Sequence, residues 1–165
     1  MSNIILIGMP GAGKSTLGVQ LAKDSARDFI DTDVLIQLRE HTTLQQIIDD
    51  SDYLNLRDIE EAVLLGLKCD NHVIATGGSA VYSSAGMAHL GSLGRIVFLN
   101  TDLSELRQRI DNYETRGITR RPDQSFAELF KERQALYQQF ADITIDCNGR
   151  SQQRILTQLQ QQLGA

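Results

Sequence analysis

Gly8-Met9-Pro10-Gly11-Ala12-Gly13-Lys14-Ser15 is the stretch on which the reading of this chain turns. It matches G-x-x-x-x-G-K-[ST] at every fixed position. Glycines let the backbone curl until successive N–H groups point inward at the α- and β-phosphates of a nucleotide. Lys14 reaches the β/γ oxygens, and the Ser15 hydroxyl is a ligand for Mg²⁺. The positive end of the following helix strengthens the anion site. Composition alone yields such a string in roughly one random chain in 10². Here the context agrees: Asn3–Ile7 is apolar and rich in β-formers, and Thr16–Lys23 sets Leu17 and Leu21 four apart on a helix. The loop therefore reads as a nucleotide site built from Gly11, Ala12, Gly13, Lys14, Ser15 and Thr16, where Thr16 either touches the α-phosphate or only helps start the helix.

Outward from the loop, short apolar runs alternate with helical patterns. Strands are expected at Asn3–Ile7, Phe29–Asp33, Val73–Thr76, Ile96–Asn100 and Ile143–Ile145. Between them, Thr43-x-x-Gln46 and Ser125-x-x-Glu128 read as capping boxes. A long helix over about 52–68 carries Leu56, Ile59, Val63 and Leu67 on one stripe. A helix over 102–110 follows, then one from Ser125 to about Phe140, and a closing helix with Ile155, Leu159 and Leu163 at helical spacing. Such alternation predicts one α/β domain over residues 1–165, a three-layer P-loop fold. Its five-stranded, mainly parallel sheet has helices on both faces, and ligands sit at the carboxyl ends of the strands. Asp111–Gln124 is polar, arginine-bearing and poor in apolar anchors, and the expectation is a mobile lid over about 110–125.

Composition bounds the function. The 165 residues carry 41% hydrophobic and 22% charged residues, enough for one packed core without metals or disulfides. A net charge of −5 argues against a broad nucleic-acid or anionic-membrane surface, while leaving room for a locally positive pocket. No run approaches the ~20 apolar residues of a membrane span. The opening MSNIILIG lacks a basic leader, so a cytoplasmic protein is expected, with reduced Cys69 and Cys147. Low aromatic content favours a monomer.

Several polar residues stand out. Asp31 and Asp33, read as alternate residues ending the second strand, point to the edge where the loop sits. Mg²⁺ with its waters suits Asp31, and Asp33 can orient and deprotonate an acceptor hydroxyl or merely cap a helix. Arg57 lies within reach of Glu60 and Glu61 at i+3 and i+4, and reads by itself as a surface ion pair. Arg133 falls in the middle of the apolar stripe Phe126, Phe130, Tyr137 and Phe140, so it must meet an anion or a carbonyl. A structural glutamate and a substrate carboxylate satisfy that requirement equally. Thr76-Gly77-Gly78-Ser79 permits either a close backbone approach to a ligand or a tight turn.

Taken in order, these features resemble the shikimate kinases, small P-loop enzymes related to the nucleoside monophosphate kinases. They are a P-loop at residue 8, D-x-D, R-x-x-E on a helix, Gly-Gly after the third strand, an Arg-Pro lid and an arginine on the next helix. The resemblance spans Ile4 to Arg150. It implies transfer of the γ-phosphoryl of ATP to the 3-hydroxyl of shikimate, with Mg²⁺. In this chain it implies Ser15 and Asp31 for the metal, and Lys14, Asp33 and the lid residue Arg121 for catalysis. Asp33, Arg57, Gly77, Gly78 and Arg133 would bind the acceptor, and Arg109 and Arg150 would lie beside the adenine.

The chain also departs from the family pattern. Ser79 stands where a third glycine is usual, Leu56 replaces a phenylalanine, and Arg121-Pro122 is followed by Asp123-Gln124 rather than two leucines. The lid is longer, which leaves Arg116 and Arg120 as rivals to Arg121. Gluconate kinases share the size and loop but tend to show D-G-D where Thr32 stands here. A nucleotide-binding scaffold that has lost turnover is the reading from another class, set against intact Lys14, Ser15, Asp31 and Asp33.

Overall fold

The Ile4–Ile7 run becomes the middle of one sheet because every residue in it is buried. A computed structural model describes residues 2–110 and 118–164. β1 (Asn3–Ile7) lies between β3 (His72–Ala75) and β4 (Gly94–Asn100), with β2 (Asp28–Asp31) and β5 (Ile143–Asp146) at the edges, in the order β2-β3-β1-β4-β5. All four pairings are parallel; Ile5, for example, is in register with Ile74 on one side and Ile96 on the other. A strand flanked on both sides and covered on both faces has no wet edge, hence its unbroken apolar sequence.

The helices are α1 (Lys14–Asp24), α2 (Thr32–Glu40), α3 (Leu44–Asp50), α4 (Tyr53–Leu65), α5 (Ser84–Leu93), α6 (Leu103–Arg109), α7 (Phe126–Phe140) and α8 (Gln152–Leu163), with one 3₁₀ turn at Ala80–Tyr82. α1 packs on β2, β3 and α8, while α5 packs on β4 and α4, and α7 on β4. Ser125 and Thr43 cap α7 and α3 as their capping boxes require. A smaller cluster of Ile36, Ile47 and Leu56 joins α2, α3 and α4 beside the sheet. No helix among the described residues is long and apolar enough to cross a membrane, and Cys69 and Cys147 carry free thiols.

Three expectations change. Extended backbone stops at Asp31, whose side chain accepts from the Asp33 amide at 3.0 Å and so starts α2. Asp33 therefore sits in a helical first turn, and strand alternation does not relate the two aspartates. On α4 the deepest residues are Leu56, Glu60 and Leu64, at 2%, 3% and 0% exposure, so a carboxyl group lies inside the buried stripe. α5 falls where no helix was expected; its small residues and two glycines give it no readable amphipathic pattern. The expected lid over about 110–125 lies partly outside the described residues, and Arg116 with it.

Parallel strands place all their carboxyl ends at one edge. The loop after β1, Asp31 at the end of β2 and Thr76-Gly77-Gly78 after β3 consequently meet there.

Candidate active site

The P-loop is held by backbone that only glycine adopts easily. Gly11 and Gly13 have φ of +84° and +93°, and Gly13 is the left-handed cap from which α1 departs. Ala12 is buried beneath the loop. The Lys14 ammonium donates to the carbonyls of Gly8 and Met9 at 2.6 and 2.9 Å. Ser15 donates its hydroxyl to Asp31 Oδ2 at 2.7 Å. That pair brings two hard oxygen donors together at the mouth of the loop, the kind of site Mg²⁺ takes while keeping most of its waters.

A cleft of about 290 Å³ runs from this loop toward α4 and α7. Gly11, Gly13, Lys14, Ser15, Thr16 and Arg109 line one end, and Asp33, Glu60, Gly77, Gly78, Ser79 and Arg133 the other. Arg109 is ion-paired with Glu105 at 2.7 Å and donates to the Gly11 carbonyl at 3.2 Å.

The acceptor end is organised around the two glycines. Gly77 N–H donates to the buried Thr32 hydroxyl at 3.2 Å, and the Gly78 carbonyl accepts from the Tyr137 hydroxyl at 2.6 Å. A β-carbon at Gly77 would lie 2.5 Å from Asp33 Oδ1 and 2.7 Å from Glu60 Oε2. One at Gly78 would lie 2.7 Å from Arg133 Nη1 and 2.9 Å from Pro10 Cδ. Two carboxyl groups and a guanidinium thus fill the space that side chains here would occupy.

Glu60 is the residue that sequence reasoning missed. Burial, and then the negative charge of Asp33, push its carboxyl up to about 7. The Ser79 hydroxyl, donating to Glu60 Oε1 at 2.5 Å, works in the opposite direction. Its position four residues from Leu56 and four from Leu64 was the available signal. Arg133, 1% exposed, resolves the choice posed by its apolar stripe partly in favour of a carbonyl: it donates to the Thr119 backbone oxygen. Its other terminal nitrogen, Nη1, lies at Gly78.

Arg57 behaves differently from the surface pair its spacing suggested. Its guanidinium carbon lies 3.7 Å from the centre of the Tyr82 ring and 5.0 Å from that of Tyr53. No carboxylate among the described residues comes within ion-pair distance of it. Arg121 does not line the cleft and is paired with Glu132, at 3.7 Å. Arg120 donates to the carbonyls of Arg121, Pro122 and Gln124. Arg150 lies in a separate groove on α8, near Asp146 and bonded to Gln158. The structure thus gathers the loop residues, Asp33, Gly77, Gly78, Arg109 and Arg133 at one cleft, with Asp31 joined to it through Ser15, but Arg57, Arg121 and Arg150 do not line it.

The cleft can hold polyphosphate at one end and present a carboxylate and a guanidinium to a small polar molecule at the other. Comparison with known proteins agrees. The family model for shikimate kinase matches residues 10–164. Shikimate kinases of Pseudomonas entomophila and Clostridium botulinum are 33% and 36% identical to the chain, over 99% and 95% of its length and 96% and 94% of theirs. Among solved structures, a shikimate kinase from Acinetobacter baumannii in complex with shikimate superposes with a TM-score of 0.90 at 30% identity, covering 99% of this chain and 94% of that one. The Aquifex aeolicus shikimate kinase gives 0.84 at 28% identity, covering 98% and 96%. A sugar kinase from Janibacter, at 0.60 and 11% identity over 99% and 95% of the two chains, shares the fold alone.

Proposed function

The chain belongs to the shikimate kinase family, and we propose that its cleft moves the γ-phosphoryl group of ATP to the 3-hydroxyl of shikimate. The observation that carries this reading is the convergence of Asp33 and Arg133 on the Gly77-Gly78 backbone, at the far end of a cleft that begins at Lys14. Adenine and ribose lie toward Arg109, and the phosphates rest on the loop amides and Lys14. Ser15 and Asp31 are the residues that would hold Mg²⁺, which supplies neutralising charge on the β- and γ-phosphate oxygens.

Phosphoryl transfer asks little covalent chemistry of a protein and much positioning. Asp33 aims the acceptor hydroxyl at the terminal phosphorus and accepts its proton. Glu60 takes up a proton near neutrality rather than face Asp33 as a second charge. Arg57 and Arg133 grip the carboxylate of shikimate, a planar anion that a guanidinium fork matches. Closure of the segment bearing Arg121 excludes water and adds a cation to the transferring group. Arg150 borders the adenine in the same closed state. The enzyme acts as a cytoplasmic monomer of one domain.

A coupled ADP-release assay tests this with ATP·Mg²⁺ and a panel of shikimate, gluconate and nucleoside monophosphates. ADP release is expected with shikimate alone. Release only with another acceptor would overturn the assignment of substrate, and nucleotide binding without turnover would overturn that of enzyme.

A further inference from the structure

Arg57 is a partly buried cation held by aromatic faces. Tyr82, on the 3₁₀ turn that follows Gly77-Gly78-Ser79, lies flat enough under it to bring the guanidinium carbon to 3.7 Å from the ring centre. The same ring has the Arg133 guanidinium carbon at 5.4 Å. Tyr53, in the first turn of α4, adds a second ring at 5.0 Å from Arg57. The ring of Tyr82 is fixed at its far end, because its hydroxyl donates to Glu132 Oε2 at 3.1 Å, and that carboxylate also accepts from Gln124 at 2.7 Å.

We propose that Tyr82 is a positioning residue whose one ring sets both substrate-gripping guanidinium groups, Arg57 close over the ring and Arg133 farther from its centre. The chemistry of the contact matters. A carboxylate partner would occupy the N–H fork of an arginine and would have to be displaced by the substrate's own carboxylate. An aromatic ring stabilises the cation through its face, leaving the in-plane N–H donors of the guanidinium directed elsewhere. Two guanidinium groups over one ring are thereby held at a fixed mutual distance, suited to a single small carboxylate. This inference rests on the reading that Arg57 and Arg133 bind the acceptor acid.

The test replaces Tyr82 with phenylalanine and then with progressively fluorinated phenylalanines, which keep the ring's shape while draining its π face. KM for shikimate is expected to climb steadily along the series, by about three- to thirtyfold from phenylalanine to pentafluorophenylalanine. KM for ATP and kcat should stay within about twofold, since neither depends on the quadrupole of this ring. A purely structural role for the ring would give no such trend. Arg57→Ala, measured in parallel, separates the two levels of inference. If that variant raises KM for shikimate while the fluorinated series stays flat, the clamp is refuted and the carboxylate reading stands. If both are flat, the carboxylate reading falls and takes the clamp with it. A series that raises KM for ATP as much as that for shikimate also refutes the clamp.

Discussion

Replacing Glu60 by glutamine should make the protein more stable at alkaline pH and leave it unchanged in acid. In the folded chain the Glu60 carboxyl titrates at about 7, against 4.5 when unperturbed, because burial and the neighbouring Asp33 both oppose its charge. Through that window the folded state keeps a proton the unfolded state has released, so stability falls as pH rises. Each pH unit is worth ~1.4 kcal/mol, and the whole decline comes to ~3 kcal/mol, complete above a pH of about 7. Glutamine is nearly isosteric, keeps an oxygen for the Ser79 hydroxyl and turns an N–H donor toward Asp33, so the variant should lack this decline. Urea unfolding of both proteins across this range gives the difference curve directly, and titrations common to both cancel. The variant should lie within about 1 kcal/mol of wild type near pH 5 and exceed it by ~3 kcal/mol near pH 8, with the same m-value. A difference that does not vary with pH, or a wild type more stable at pH 8, would refute the reasoning.

Other perturbations address the chemistry. Asp33→Asn should lower kcat by about 10²–10⁴ with little change in KM for shikimate, the usual worth of a positioned base. Wild-type turnover in the ADP-release assay would remove Asp33 from the mechanism. Gly77→Ala places a methyl 2.5 Å from Asp33 Oδ1 and 2.7 Å from Glu60 Oε2, so the two carboxyl groups must part. Because Gly77 does not have positive φ, the fold should survive and kcat should drop by about 10²-fold, which circular dichroism and steady-state kinetics check together. Arg121→Ala should cost about 10²–10³ in kcat, as for loss of one donor to the transferring group. If Arg120→Ala carries the loss instead, the lid arginine is the preceding residue.

What could be read from sequence was what is local in sequence. The P-loop needs eight consecutive residues, and its strand and helix follow from the same stretch. Ser15 and Asp31 come together because a parallel sheet leaves their strand ends no other place. Arg133 announced itself by violating an apolar stripe. Glu60 violated one too, between Leu56 and Leu64, but its closeness to Arg57 offered a simpler account that the helix rotation rules out. Asp33 was misplaced onto a strand because nothing in the string D-T-D shows that Asp31 folds over the next turn as a cap. The rings around Arg57 had no signal at all, since Tyr53 and Tyr82 come from different elements and both reach that guanidinium only in the folded chain.

The paired glycines show why such a site resists local reading. Gly77 and Gly78 are not among the glycines with positive φ, so no turn demands them. Their missing β-carbons matter because Asp33 and Glu60 crowd one and Arg133 the other. Pro10, whose side chain has no polar group to offer a ligand, contributes through the same space, its ring lying 2.9 Å from where a Gly78 β-carbon would stand. The donor loop after β1 and the acceptor end after β3 therefore abut where the Pro10 ring meets Gly78, with Arg133 Nη1 packed at the same point. Close packing at that contact fixes the loop relative to the acceptor end, and phosphoryl transfer depends on that register. A residue larger than glycine at 78 should then misalign donor and acceptor and displace the Arg133 guanidinium, lowering kcat and raising KM for shikimate while leaving KM for ATP in place. A Gly78→Ala variant with normal turnover would show that the two ends are not held in register by this contact.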